Sequence, residues 1–365
     1  MRVVVAPNAY KGTLSPLEAA RAIAAGLVSA APGVECDLVP LSDGGDGFVE
    51  AMTEALGAAR RQVLVRGPMH RPVAAAYALK RAGQEVLGVV EIAQAAGLVL
   101  VGDEERDPLG ASTGGVGELL GEVRQAGATR MVVGLGGSAT TDGGAGMARA
   151  LGYRFLDDRG AELPEGGGSL RRLARIDPGG FDQSWLLLEV VAATDVDNPL
   201  LGPSGAAAVY GPQKGASPTD VAMLDEGLGR LADAVRRDLG QEIAAIPGAG
   251  AAGGLGAGLV AFLGARLEPG AASMLEAVDL RTRLRGSDML VTGEGRLDGQ
   301  SLRGKAPVVA GRLARGLGVR AVCLAGVLGE GWEAAVGDAF DAVVEVGPPG
   351  DDAAATLGAA AGTLV

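Results

Sequence analysis

The stretch Asp288–Ser301, D-M-L-V-T-G-E-G-R-L-D-G-Q-S, decides the fold. An apolar, β-rich run, Met289–Thr292, ends in a Gly-rich acidic segment, and similar runs return at Ala321–Ala325 and Ala342–Val346. From about Asp288 the chain therefore reads strand–loop–helix–strand–helix–strand–helix, the pattern of a parallel α/β sheet. The amino-terminal portion, to about Arg66, reads strand–helix–strand–helix, with strands at Arg2–Ala6 and Asp37–Leu41. Its first helix is signalled by Ser15 as N-cap, Pro16 in the first turn and Glu18 completing a capping box. Each end alone is small for a doubly wound parallel sheet, and together they supply about five or six strands. The reading is α/β with two unlike domains: residues 1–67 and 287–365 form one discontinuous domain, and 68–286 an inserted second. Gly67-Pro68 and Arg285-Gly286 are the expected crossing points. Strands within the insertion are expected at Val86–Ile92, Met131–Leu135 and Leu186–Ala193. A helix starting at Ser217, Pro218 and Asp220 should run to about Leu239.

Composition narrows the function. Lys plus Arg is 32 against 44 Asp plus Glu, a net charge of −12. Nucleic acids and anionic membranes select basic surface, so neither is an expected partner. Glycine supplies 62 of 365 residues, against a usual ~7%, yet the apolar fraction is far too high for a disordered chain. The glycines are read as tight turns and close approaches to ligand. Cys36 and Cys323 sit in apolar runs and suit a reducing compartment. With no leader-like opening and no apolar run of membrane-spanning length, the expected location is cytoplasmic. His70, in G-P-M-H-R-P, is the single histidine, so acid–base chemistry falls to Asp, Glu or Lys.

The sharpest candidate site is V-A-A-T-D-V-D-N-P, Val191–Pro199. Residues two apart in an extended chain point the same way, so Asp195 and Asp197 project from one face at a strand's end. Such a pair suits a hydroxyl proton acceptor and a magnesium ligand, and equally an acidic strand-to-loop turn.

Met131–Gly146 imitates a dinucleotide fingerprint, with Gly134-x-Gly136-x-x-Ala139 after a strand and Asp157 further on. An NAD-dependent hydroxy-acid oxidoreductase is thus the alternative reading. Against it, the following helix would contain Gly143, Gly144 and Gly146, each costing roughly 1 kcal/mol in a helix interior. Gly136, Gly137, Ser138, Thr140 and Thr141 suit the phosphate chain of a nucleotide, with Asp142 available to a metal. Gly299–Ala306 falls one residue short of a P-loop because Ala306 stands where Ser or Thr should bind magnesium. Lys305 there is either a phosphate or carboxylate contact or a solvent lysine. Arg296 is either a planar fork for an anion or held by Glu294 and Asp298. In A-P-N-A-Y-K-G-T-L-S, Lys11 is a candidate anion contact and Asn8 a hydroxyl partner. Asp43 and Asp46 lie at another strand-to-helix junction, where Asp46 suits helix capping.

Seven blocks in order make the chain resemble the bacterial glycerate kinases of the glycerate 2-kinase type. They are A-P-N-A-Y-K-G-T-L-S, P-L-S-D-G-G-D-G, G-L-G-G-S-A-T-T-D-G-G-A-G-M, A-T-D-V-D-N-P-L-L-G, Y-G-P-Q-K-G-A, G-A-A-G-G-L-G-A-G-L and T-G-E-G-R-L-D-G-Q-S-L-R-G-K-A-P. Relatives usually carry Asp-Ser-Phe-Lys at Asn8–Lys11, Glu at Asp46 and Asn at Thr141. The resemblance implies ATP-dependent phosphorylation of D-glycerate, typically to 2-phosphoglycerate, with Mg2+. It also implies a Rossmann-like domain into which a second α/β domain is inserted, with the active site in the cleft between them. The family's acidic pair falls on Asp195 and Asp197. On this reading Asp195 accepts the hydroxyl proton and Asp197 holds magnesium, roles the two could exchange. Lys11, counted with Asp195 as a catalytic residue, and Arg296 hold the substrate carboxylate, with Asn8 and Asp43 also facing substrate. The 134–144 loop and Lys305 serve ATP. A homodimer is compatible with this assignment.

Overall fold

A computed structural model describes every residue except Lys11, Asp43, Asp46, Pro348, Pro349 and Asp351. The fold is α/β, and the chain divides into two compact units.

The first unit comprises Met1–Asp43, Gly47–Ala58 and Pro269–Val365. Its sheet has five parallel strands in the order Ala342–Glu345, Arg320–Leu328, Met289–Leu297, Arg2–Pro7, Glu35–Leu38. The amino-terminal strand thus lies beside a carboxyl-terminal one, with Val3 opposite Met289 and Ala6 opposite Thr292. Val3, Val5, Met289, Val291, Val322 and Leu324 alternate onto one face and pack against Ile23, Leu27 and Leu357. Val4, Leu290 and Cys323, on the other face, are equally buried. Coverage on both faces explains why these strands read as unbroken apolar runs rather than alternating ones. The helix Pro16–Ala30 starts as its sequence prescribes: Ser15 Oγ accepts from the Glu18 amide, and Glu18 Oε2 accepts from the Ser15 amide at 2.8 Å.

The second unit comprises Ala59–Glu268 together with Gly44–Asp46. Its six-stranded sheet is ordered Arg266–Pro269, Glu189–Thr194, Arg130–Gly134, Glu85–Glu91, Pro72–Ala82, Ala59–Arg66. The three central strands are parallel, and the pair 59–66 and 72–82 runs antiparallel beside them. The core gathers Tyr153, Phe155 and Phe262 in tilted and edge-on contact. The helix Pro218–Leu239 ends at Leu239 as read, with Ser217 and Asp220 forming its capping box.

Two sequence expectations need correction. The chain crosses between units after Ala58 and before Pro269, not at Gly67-Pro68 and Arg285-Gly286. Strand Ala59–Arg66 pairs along its whole length with Pro72–Ala82 through a turn in which His70 takes φ 61°. Alanine-rich strands such as P-V-A-A-A-Y-A-L carry little β propensity, so the pattern concealed this hairpin. At the second crossing, helices 270–277 and 280–284 are tied to the first sheet by Arg283. Its guanidinium meets Asp37 at 2.7 Å and donates to the Ala55 and Val278 carbonyls. Strand Met289–Thr292 also extends to Leu297, because pairing with Arg320–Leu328 continues through Gly293, Glu294, Arg296 and Leu297.

Candidate active site

Within the second unit, three parallel strands end in register at one edge of the sheet. Glu91 lies opposite Gly134, and Gly134 opposite Ala193. This is the edge at which parallel sheets place ligands, because the loops there are free to diverge.

The loop after Gly134 is held on several sides. Leu135 N–H donates to the Ala193 carbonyl, Leu98 N–H to the Gly137 carbonyl and Ala139 N–H to the Ala96 carbonyl. A Cβ on Gly136 would lie 2.3 Å from the Gly45 Cα, so only glycine permits that approach. Gly137 has φ 66°, left-handed backbone that costs other residues about 1–2 kcal/mol. Gly137 is exposed and Gly136 half-exposed, whereas Ser138, Thr140 and Thr141 are buried. The loop therefore presents backbone to solvent and turns its hydroxyls inward. Ser138 Oγ and the Thr140 carbonyl each accept from the Lys214 ammonium, at 2.9 and 2.6 Å.

Asp142 corrects the reading that made it available to a metal. It is buried, and its carboxylate accepts from the Thr113 amide and hydroxyl and from the Gly144 and Gly146 amides, at 2.8 to 3.1 Å. It thereby ties together the residues from which the helices Gly114–Gln125 and Ala145–Ala150 start. Burial pushes its carboxyl upward, and these donors oppose that shift. The helix after the loop has only six residues, so the loop and short helix do not form the long dinucleotide-binding element of an oxidoreductase.

Strand Glu189–Thr194 delivers the acidic pair. Asp195 and Asp197 lie just past the strand's end, in a bend where Val196 N–H donates to Thr194 Oγ1; both are exposed and Val196 between them is half-buried. The break that follows is pinned. Asn198 Oδ1 accepts from the Tyr210 hydroxyl at 2.6 Å, its amide donates to the Ser204 carbonyl, and its carbonyl accepts from Gly250 N–H. Burial raises the Tyr210 hydroxyl pKa, and the Asp197 charge raises it further.

In the first unit, Asn8, Arg296 and Lys305 lie at the carboxyl ends of its strands. Asn8 N–H donates to the Gly293 carbonyl, and its side-chain oxygen accepts from Ala9 N–H at 2.7 Å. Arg296 is exposed and donates Nε to Asp298 at 3.2 Å. Lys305, at the N-cap of helix Ala306–Gly316, meets buried Glu294 at 2.8 Å instead of standing free in solvent. An ammonium at a helix N-terminus opposes the helix dipole, and Glu294 offsets that cost. Lys11, Asp43 and Asp46 lie outside the described residues. The sequence reading missed Lys214 and Tyr210 as organising groups, and it offered Glu294 as a partner of Arg296, whereas Glu294 meets Lys305 and Arg296 meets Asp298. A lysine in P-Q-K-G reads as an exposed turn residue, and only its occurrence in Y-G-P-Q-K-G-A hinted otherwise.

The glycerate kinase family model matches residues 3–365. The chain belongs to the glycerate kinase family. It is 44% identical over 346 residues to a glycerate kinase of Halalkalibacterium halodurans, covering 95% of this chain and 90% of that one. It is 42% identical to the glycerate 2-kinase of Escherichia coli K12, over 86% and 82% of the two chains. A crystal structure from Salmonella typhimurium LT2 described as a glycerate kinase 2 superposes with a TM-score of 0.91 and 38% identity, covering 100% of this chain and 97% of that one. The reaction is ATP-dependent phosphorylation of glycerate, and the oxidoreductase alternative falls. Among the described residues, no helix is long and apolar enough to cross a membrane.

Proposed function

We propose that the chain transfers the ATP γ-phosphoryl group to the 2-hydroxyl of D-glycerate, giving 2-phosphoglycerate and ADP. The observation carrying this is the exposed Asp195/Asp197 pair at the same end of the sheet as the solvent-facing Gly136-Gly137 turn, of which Gly137 is exposed and Gly136 half-exposed. Phosphoryl transfer asks mainly for positioning and charge neutralisation, which carboxylates, backbone amides and a metal supply. Asp195 takes the hydroxyl proton. The Gly136-Gly137 backbone receives the phosphates, with Ser138 and Thr140 shaping the loop from within. Lys11, Asn8, Asp43 and Arg296 are assigned to substrate and Lys305 to the nucleotide. The 2-position is favoured by similarity to the Escherichia coli protein named glycerate 2-kinase.

Mg2+ fits the donors present. It binds through one or two carboxylates plus substrate phosphates and keeps several waters. Asp197 offers such an exposed oxygen donor. Among the described residues no group of three or more His, Cys, Asp or Glu converges, so the nucleotide would supply most of the remaining ligation. Bound there, the ion would neutralise phosphate charge. A coupled ADP-release assay with D-glycerate, followed by phosphorus NMR of the product, tests the assignment. A 3-phosphoglycerate resonance would overturn the regiochemistry.

A further inference from the structure

Lys214 is the most deeply buried cation in the second unit's site, with 2% of its surface exposed. Taking an ammonium out of water costs several kcal/mol unless a counter-charge is placed against it. Among the described residues, no carboxylate reaches it within ion-pair distance. The anion it senses is Asp142, whose oxygens are already occupied by Thr113, Gly144 and Gly146. Its hydrogen-bond partners are neutral: the Ser138 hydroxyl and the Thr140 carbonyl. A second cation flanks the same turn, since Arg106 donates to the Gln213 carbonyl at 3.2 Å while paired with Asp103. The segment carrying Lys214 is anchored four residues earlier, where Tyr210 holds Asn198 beside the acidic pair. One short segment, 206–214, thus touches both the Gly-rich loop and the acidic turn.

A methionine or leucine would fill this space without the desolvation cost, so the lysine kept here points to the charge-assisted hydrogen bonds that its protonated form gives the Gly-rich loop. Half-exposed Gly136 and exposed Gly137 immediately precede the residues that Lys214 holds. We propose that Lys214 is a positioning residue for nucleotide: its ammonium fixes the Gly-rich loop from behind and sets affinity for a nucleotide polyphosphate, not for glycerate. This rests on the assignment of that loop to ATP.

The test is isothermal titration of the full chain with MgADP and, separately, with D-glycerate. Lys214→Met should raise the Kd for MgADP by about tenfold or more, the range for losing charge-assisted hydrogen bonds. Its glycerate Kd should stay within about twofold of wild type, because the ammonium's partners all lie in the Gly-rich loop. Should that variant not fold, Lys214→Gln, which keeps two N–H donors but no charge, carries the same expectation. Ser138→Ala, which removes one acceptor and leaves the charge, should weaken MgADP less than either. Equal weakening of both ligands, or of neither, overturns the proposal. So does a failure of both Lys214 variants to fold while Ser138→Ala binds MgADP as wild type does. Gly137→Val is run in parallel. If it leaves MgADP affinity unchanged, the loop assignment itself is wrong; if it weakens MgADP while Lys214→Met does not, only the role of Lys214 falls.

Discussion

The Lys214 ammonium donates to the Thr140 carbonyl at 2.6 Å, joining residues 74 positions apart in the chain. That bond makes the conformation of the Gly-rich loop depend on a turn in a later segment. The same segment uses Tyr210 to hold Asn198, the residue after the acidic pair. Two loops that leave adjacent strands therefore share one brace.

Burial pulls the Lys214 pKa from 10.5 down to about 7, with Asp142 opposing the shift. Between those values the unfolded chain binds a proton that the folded chain has released, so this group makes stability rise with pH from about 7 to about 10.5. Below that window both states are protonated and the burial penalty is present in full. Urea unfolding of wild type at several pH values from 7.5 to 9.5 should exceed the Lys214→Met slope by about 1.4 kcal/mol per pH unit. Parallel slopes would show that Lys214 is not the titrating group.

Asp195→Asn removes a carboxylate from an exposed position at the end of strand Glu189–Thr194. As the loss of a general base, it should lower kcat at least ~100-fold. Melting behaviour should be unchanged, since the group is not buried. Activity close to wild type would make Asp195 an ordinary turn residue.

Gly136→Ala drives a methyl to 2.3 Å from the Gly45 Cα. Backbone cannot yield as a flexible side chain can, so stability should fall by about 1–3 kcal/mol, the usual range for overpacking. Differential scanning calorimetry would register this as a lowered Tm, and an unchanged Tm would mean that the Gly44-Gly45 segment moves freely.

Arg283→Ala strips two hydrogen bonds that fasten helices 270–284 to Asp37 and Ala55, and a third, to the Val278 carbonyl, that braces the turn between them. With the carboxylate of Asp37 left half-buried, the expected loss is about 1–3 kcal/mol. Hydrogen exchange should locate the added opening in residues 270–284. Uniform loosening throughout the chain would argue against this local tie.

The sequence alone determined the elements whose signals are local. The Ser15–Glu18 and Ser217–Asp220 boxes start their helices because cap and amide lie three residues apart. Buried parallel strands announce themselves as apolar runs because both their faces are covered. The ordered motifs led to the family. Only tertiary structure decided that Ala59–Arg66 joins the second sheet, since partner choice for a polar edge strand is written in the strand it meets. It alone turned Ser138 and Thr140 inward and closed Asp142 onto two helix ends. It also buried Lys214, a residue whose local sequence reads as a solvent turn. Burial is a property of everything packed around a group, and for Lys214 the neighbours that matter lie more than seventy residues away.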